Sequence, residues 1–237
     1  QFLSGHPFFA YGTIILGGAY SIWRAPRKPF PPGYLAGLAF QWSVTLVWFA
    51  AIAAVQILPF YETSKISSRS GGLAFERATM FSETPAQLAI FIFVPVWNWF
   101  NGDVTGDPTI VGFYTGVIAL FLSLVYLFRR RNGVKWFWLS SFAAVLVLSL
   151  GSSLPGYRYI LEWMPGLKYM RFPGQWLFLA AFILGLAASA GLETLHNSRL
   201  KSGLIALVAI ELFLFSVKSP LGTVHREFFH LKSIWPE

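Results

Sequence analysis

The chain lacks cysteine entirely and carries little charge. None of its 237 residues is cysteine, and 12% are charged, against the ~25% that is usual for soluble domains. The absence of cysteine excludes a disulfide scaffold, a Cys-ligated zinc or iron–sulfur site and a thiol nucleophile. Because 55% of the residues are hydrophobic and occur in long blocks, an ordinary cytosolic enzyme and a disordered protein are also excluded.

The apolar blocks predict helices that cross a membrane. A bilayer core of ~30 Å needs about 20 predominantly apolar residues per helix. The last of the predicted spans, 203–217, is short, and tilt or continuation of the helix past Ser219 would let it cross the membrane. A further run at 87–97, of about 11 residues, predicts a re-entrant or interfacial helix. The sequence predicts an all-α integral membrane bundle over 1–217, followed by a tail at 218–237, with about six spans at 7–23, 34–58, 109–128, 136–151, 175–195 and 203–217.

Basic residues are concentrated in three short loops, at 24–33, 129–135 and 196–202. These loops hold nine of the 18 lysines and arginines and no acid, whereas the alternate segments hold eight of the ten acids. Short loops rich in Lys and Arg stay in the cytoplasm. We therefore expect these loops to be cytoplasmic and both termini to be outside. The net charge of +8 is interpreted as a topology signal, and no nucleic-acid partner is expected.

The outer loop between the fourth and fifth predicted spans is the main candidate binding segment. It contains three cations, Arg158, Lys168 and Arg171, among three tyrosines and three prolines. Arginine binds phosphate through two parallel hydrogen bonds, so the loop suits an anionic lipid headgroup or a phosphate. Interfacial anchoring, with basic side chains reaching lipid phosphates, explains the same composition. Composition alone leaves both interpretations open and favours anchoring.

The acidic residues give no strong site. Asp103 and Asp107, with Asn98 and Asn101, do not match the alternating ligands of an EF-hand loop, and a solvated turn explains them. We therefore predict no metal and no other cofactor. Glu211 lies inside the last predicted span, where an ionisable group usually faces protein or water. A structural role is favoured for it, with a polar neighbour such as Gln41 or Ser43 as its hydrogen-bond partner.

Several segments together resemble the YfhO family of bacterial membrane proteins. They are GHP at 5–7, VQILPFYETSKISSRSG at 55–71, VGFYTGVIALFLSL at 111–124 and LPGYRYILEWMPGLKYMRFPGQWLFLAAFILGLAASAGLE at 154–193, followed by Glu211. Their order and spacing resemble the C-terminal membrane half of the family and cover nearly the whole chain. The block MPGLKYMRFP before a helix of small residues is the most specific part of the resemblance.

The resemblance implies a GT-C-like architecture and a glycosyltransferase that uses polyprenyl-phosphate-linked sugars. Glu62 and Arg69 match the family's outer loop, and Arg171 matches its arginine–proline loop, which assigns the lipid phosphate to Arg171 with help from Arg158 and Lys168. The family's second basic residue after that proline is replaced here by Gln175 and Trp176. The catalytic residues are unknown: in related folds a catalytic Asp usually lies in the first outer loop, near the N-terminus of the full protein, and the sequence leaves open whether it precedes Gln1. The tail at 218–237 resembles the start of a C-terminal domain.

Two functions follow as expectations. The first is the membrane part of a lipid-linked sugar transferase acting on the outer face of the bacterial cytoplasmic membrane, with membrane lipids and the polyprenyl-phosphate donor as partners. The second is a non-catalytic membrane subunit that packs with other membrane proteins in a larger complex. A secondary transporter is disfavoured because no inverted repeat is evident. The sequence does not identify the sugar, the acceptor or the oligomeric state.

Overall fold

Helices make up most of the residues that the structure describes. A computed structural model describes residues 7–25, 31–66, 71–86, 88, 114–130 and 133–218, and these contain no β-strand. In order, the α-helices are α1 (Pro7–Trp23), α2 (Tyr34–Ile66), α3 (Phe75–Ala78), α4 (Val117–Arg129), α5 (Val134–Ser149), α6 (Tyr157–Trp163), α7 (Leu177–Glu193) and α8 (Ser198–Lys218). Short 3-10 turns occupy Gly151–Ser153, Leu167–Tyr169 and Pro173–Trp176.

Three of the described helices are long and apolar enough to cross a membrane. They cover Tyr34–Thr63, Pro173–Glu193 and Ser198–Val217. The other predicted spans appear as shorter apolar helices at Phe8–Trp23, Val117–Arg129 and Val134–Ser149. The predicted re-entrant helix at 87–97 lies outside the described residues except for Leu88, and so does the tail from 219 onward.

Two predicted spans have different boundaries in the structure. Within the span predicted at 109–128, Tyr114–Gly116 are not helical and α4 begins at Val117, while residues 109–113 lie outside the described part of the chain. Gly116 has φ +98°, a conformation that interrupts a right-handed helix. The short last span gains its length on the N-terminal side, since α8 starts at Ser198 and runs for 21 residues. The Asn197 side chain accepts hydrogen bonds from the N–H groups of Arg199 and Leu200 there, at 3.0 and 3.2 Å, and caps the helix.

The chain forms two compact units. The first comprises residues 1–80 and 154–172, and so contains α1, α2, α3 and α6. In this unit α1 lies against α2 at Gly17, where an added Cβ would come within 3.2 Å of the Trp42 indole. The helix α2 is 33 residues long and includes Pro59, which cannot donate a helical hydrogen bond. Only 6% of its candidate spanning window is buried, so few residues of this window belong to the core of the unit.

The second unit comprises residues 81–153 and 173–237 and is built around α7. This helix is rich in alanine and glycine, and half of its candidate spanning window is buried. A Cβ at Gly191 would collide with the Leu122 carbonyl oxygen of α4, so the two backbones are in direct contact. The Ser123 hydroxyl lies 3.0 Å from the Leu184 carbonyl oxygen and joins the same two helices. Small residues therefore bring α4 and α7 together, as they do in membrane helix pairs.

Candidate functional site

The predicted phosphate-binding loop belongs to the first unit and begins with a short helix. Gly156 precedes α6 with φ +81°, a left-handed conformation that glycine adopts without strain. Arg158 lies in the first turn of α6, and its Nε is 3.7 Å from Glu162 Oε1 one turn later. Both side chains are more than two-thirds exposed, at 76% and 68%. An exposed pair at this spacing contributes little to stability, but it offsets the charge of Arg158.

Lys168 lies in the 3-10 turn that follows α6. Its carbonyl oxygen accepts a hydrogen bond of 2.9 Å from the Leu73 N–H, which fixes the turn to the segment before α3. Its ammonium nitrogen is 5.2 Å from the centroid of the Tyr169 ring, within the range of a cation–π contact. The Lys168 side chain is exposed. The backbone is thus held in place while the ammonium group remains accessible to solvent.

Arg171 differs from the other two cations in its burial. Its Nε is buried and has no hydrogen-bond partner among the described residues. The next residue, Phe172, has φ +66°, which is rare for an aromatic residue. Residues held in such conformations cost of order 1–3 kcal/mol and occur preferentially at functional sites. Of the three predicted phosphate ligands, Arg171 is therefore the one with an unsatisfied donor.

Of the two outer-loop residues that resemble the YfhO pattern, Glu62 and Arg69, the structure describes only Glu62. Glu62 is exposed and lies near the C-terminal end of α2. The neighbouring Lys65 ammonium is 4.3 Å from the centroid of the Tyr61 ring, one turn earlier on the helix. Arg69 lies outside the described residues, as do Asp103 and Asp107. In the part of the chain that is described, no group of three metal-ligating side chains comes together.

Glu211 in α8 serves as the acceptor for the start of α4. Its Oε1 accepts hydrogen bonds from the Tyr114 hydroxyl at 2.5 Å and from the Val117 N–H at 2.6 Å. Its Oε2 accepts the Ile118 N–H at 3.3 Å. The first amide groups of a helix have no partner within the helix, and a carboxylate is favoured there by the helix dipole. The expected partners Gln41 and Ser43 are therefore replaced by Tyr114 and two backbone amides.

Gly116 leaves the space in which this carboxylate lies. An added Cβ at Gly116 would be 2.9 Å from Glu211 Oε2. The Tyr114 ring packs on Phe215, one turn beyond Glu211, with ring centroids 4.4 Å apart. The polar contact is thus covered on one side by aromatic carbon. These contacts give Glu211 a structural role as the cap of the first turn of α4.

Sequence reasoning missed a second carboxylate, Glu83. Its side chain is completely buried in the second unit. Its N–H donates to the Ser149 carbonyl oxygen at 3.0 Å, at the end of α5. An added Cβ at Gly174 would collide with Glu83 Oε1, so the carboxylate lies directly against the backbone of Gly174. No local pattern around Glu83 indicates this burial, although the glycine following Pro173 is a signal of close backbone approach.

The segment before Glu83 is anchored to the same turns. Phe81 has φ +57°, and its carbonyl oxygen accepts a hydrogen bond of 3.3 Å from the Gly174 N–H. The Ser82 hydroxyl oxygen accepts the Ser152 N–H at 2.9 Å. Residues 81–83 are therefore fixed between the end of α5 and the start of α7.

Comparisons of the sequence and of the structure with known proteins found no relative: no family model, no curated protein and no solved structure matches the chain.

Proposed function

We propose that the chain is the membrane-embedded part of a GT-C-like transferase that uses a polyprenyl-phosphate-linked sugar. The observation that carries the proposal is the buried Nε of Arg171, which has no acceptor among the described residues. A buried donor without a partner costs about 1–3 kcal/mol, and a phosphate oxygen would remove that cost. The resemblance of the segment 154–193 to the YfhO family supports the same assignment.

The three cations have different parts in this proposal. Arg171 makes the main contact, because a guanidinium group binds phosphate through paired N–H donors. Lys168 supplies an exposed ammonium group from a turn whose backbone is already fixed. Arg158 contributes least, since Glu162 on the same helix offsets its charge. Glu62 and Arg69 belong to the same outer surface by their match to the family.

The proposed topology has six spans with the basic loops in the cytoplasm. Three long apolar helices support membrane insertion directly, and three shorter ones occupy the remaining predicted spans. The loop at 154–172 and both termini then lie outside, where lipid-linked sugars are used, in the cytoplasmic membrane of a bacterium. The run at 87–97 would be a re-entrant or interfacial helix in the long outer loop.

Binding of a polyprenyl phosphate to the purified chain in neutral detergent tests the proposal. We expect Arg171→Ala to weaken binding by about 10-fold or more, the effect of losing a charged hydrogen bond. Arg171→Lys should recover part of the affinity, because it restores the charge without the paired donors. The matched control is Arg77→Ala, which removes an exposed cation from the other outer loop. Unchanged affinity in a folded Arg171→Ala variant would refute the site.

A second candidate function is that of a non-catalytic membrane subunit. It is favoured by the exposed apolar surfaces of α2 and α8, whose spanning windows are 6% and 0% buried. Such surfaces suit helices of other membrane proteins as well as lipid. Co-purification with other membrane proteins at a fixed stoichiometry, together with no affinity for polyprenyl phosphate, would favour this function over the transferase.

A further inference from the structure

An open cavity with charged residues in its lining lies at the end of the second unit opposite the Glu211 contact. It has a volume of about 550 Å³ and is lined by Arg129, Arg130, Glu193, Thr194 and His196. Cavities of about 300–1,000 Å³ are typical of small-molecule sites. None of these residues belongs to the loop at 154–172. The cavity therefore shares no residue with the proposed phosphate site of the first unit.

The helix directions explain why these residues meet. α4 ends at Arg129 and α7 ends at Glu193, so both helices bring their C-terminal ends to the cavity. α8 starts at Ser198 and runs the opposite way, since its Glu211 contacts the first turn of α4. The cavity therefore lies at the common end of three apolar helices. In a membrane, this is the level of the lipid headgroups.

The residues beside the cavity are typical of that level. Lys135 and Trp136 lie in the first turn of α5, and the Lys135 ammonium reaches the Leu127 carbonyl oxygen of α4 at 3.2 Å. The Trp136 side chain is exposed, and the Lys135 ammonium nitrogen lies 5.4 Å from the centroid of its ring. Exposed tryptophan and lysine are enriched at the membrane–water interface. A phosphate group of a neighbouring lipid would be within the same layer as the cavity.

The charge balance of the cavity lining is positive. Two guanidinium groups face one carboxylate, and the only ion pair among these lining residues joins Arg130 and Glu193 at 4.0 Å. Their side chains are 48% and 71% exposed, so this pair is weak. Arg129 has no ion pair or hydrogen bond with any described side chain. The guanidinium of Arg129 is consequently available to an incoming anion.

Helix C-terminal ends normally disfavour anions, because their last carbonyl groups carry partial negative charge. Here several of those carbonyl groups are already occupied. The Tyr126 oxygen accepts the Arg130 N–H at 3.0 Å, and the Leu127 oxygen accepts the Lys135 ammonium at 3.2 Å. In α7 the Thr194 hydroxyl donates to the Gly191 oxygen at 2.6 Å. These hydrogen bonds reduce the repulsion between the helix ends and an anion, while the two guanidinium groups still attract the anion.

We propose that this cavity binds the phosphodiester headgroup of an anionic membrane lipid. Arg129 and Arg130 bind the phosphate oxygens, and the acyl chains lie along the exposed apolar surface of α8. Basic pockets between membrane helices recognise anionic headgroups in this way. A free phosphate ion offers the same oxygens but lacks the chains. The proposal does not rest on the transferase function, because no residue of the outer loop takes part in it.

The test is a titration of the purified full chain in neutral detergent, read by tryptophan fluorescence. The ligands are a short-chain phosphatidylglycerol, a short-chain phosphatidylcholine and inorganic phosphate. We expect the anionic lipid to bind, with Arg129→Gln weakening it about fivefold and the Arg129→Gln, Arg130→Gln double variant weakening it further. Arg129→Lys should retain most of the affinity. Arg24→Gln removes one charge from another basic loop and serves as the matched control, with no expected effect.

Three results would overturn the proposal. The first is full affinity in the folded double variant. The second is an equal loss in Arg24→Gln, which would mean unspecific attraction to the basic surface. The third is equally strong binding of inorganic phosphate and anionic lipid, which would assign the cavity to a free anion. Loss of polyprenyl-phosphate binding in Arg171→Ala with unchanged phosphatidylglycerol binding would separate this cavity from the outer-loop site.

Discussion

The hydroxyl group of Tyr114 donates a hydrogen bond of 2.5 Å to the carboxylate of Glu211, across 97 positions of the chain. The same carboxylate accepts the Val117 and Ile118 amide groups, so one acid of α8 completes the first turn of α4. Its removal would leave the Ile118 N–H and the Tyr114 hydroxyl without an acceptor, whereas the Val117 N–H would keep the Tyr114 oxygen at 2.9 Å. This contact gives the first of four predictions.

We expect Glu211→Ala to lower the free energy of unfolding by about 1–3 kcal/mol, the usual cost of unsatisfied polar groups. Glu211→Gln should cost less, because the amide oxygen can still accept a hydrogen bond. Thermal unfolding in detergent measures both effects. Ser216→Ala is the control on the same helix, since its side chain is exposed and should not matter. An unchanged Tm in Glu211→Ala would mean that α4 does not need this cap.

The contact between α4 and α7 gives a second prediction from two glycines on one helix. An added Cβ at Gly191 would collide with the Leu122 carbonyl oxygen, whereas nothing lies within 4 Å of one at Gly185. Gly191→Ala should therefore destabilise the protein by about 1–3 kcal/mol, the usual cost of overpacking. Gly185→Ala should be neutral or stabilising by up to about 1 kcal/mol, because alanine favours helix. Equal unfolding midpoints of the two variants would contradict the close backbone contact.

A third prediction concerns the buried carboxylate of Glu83. Gly174→Ala should destabilise the protein, because the new methyl group would collide with Glu83 Oε1. The same substitution in a Glu83→Ala background should cost less, since the colliding group is gone. A double-mutant cycle on unfolding free energies measures the coupling. Gly133→Ala is the control, with open space around the added carbon. Strict additivity of the two substitutions would show that the residues do not touch.

The fourth prediction concerns the proposed sidedness, and the absence of cysteine makes it direct to measure. Ser153→Cys and Ser198→Cys place single thiols at exposed positions after α5 and at the start of α8. A membrane-impermeant maleimide should label the cysteine at 153 in intact cells and the cysteine at 198 only after permeabilisation. Labelling of both from one side would require a new topology.

The sequence predicted the helices better than their ends. An apolar block is recognised by the average hydropathy of many residues, so it locates a helix but does not identify the residue at which the helix starts. Gly116 interrupts the block at 109–128, and Asn197 starts α8 five residues before the predicted span. The Asn197 cap has a recognisable local pattern, an Asn just before a helical run. The interruption at Gly116 is harder to predict, because an isolated glycine within an apolar block is often tolerated in a helix.

The same holds for the candidate sites: local sequence predicted which residues are charged, but contacts with distant segments determine which of them are buried. The three cations of the loop at 154–172 were identified from composition, but the buried Nε of Arg171 follows from the fold around it. The burial of Glu83 could not be predicted either, since it results from turns that lie more than 60 positions further along the chain. The basic loops were read as a topology signal alone. The cavity between Arg129, Arg130 and His196 appears only when three helix ends are brought together.

The fixation of α4 at its first turn and at its middle has a mechanical consequence. Glu211 holds the first turn, while the Ser123 hydrogen bond and the close approach of Gly191 to Leu122 hold the middle. Sliding α4 along its own axis would break hydrogen bonds to two different helices at once. The helices α4, α7 and α8 must then travel together as a rigid body, and any rearrangement within the membrane has to bend at the connections outside this trio.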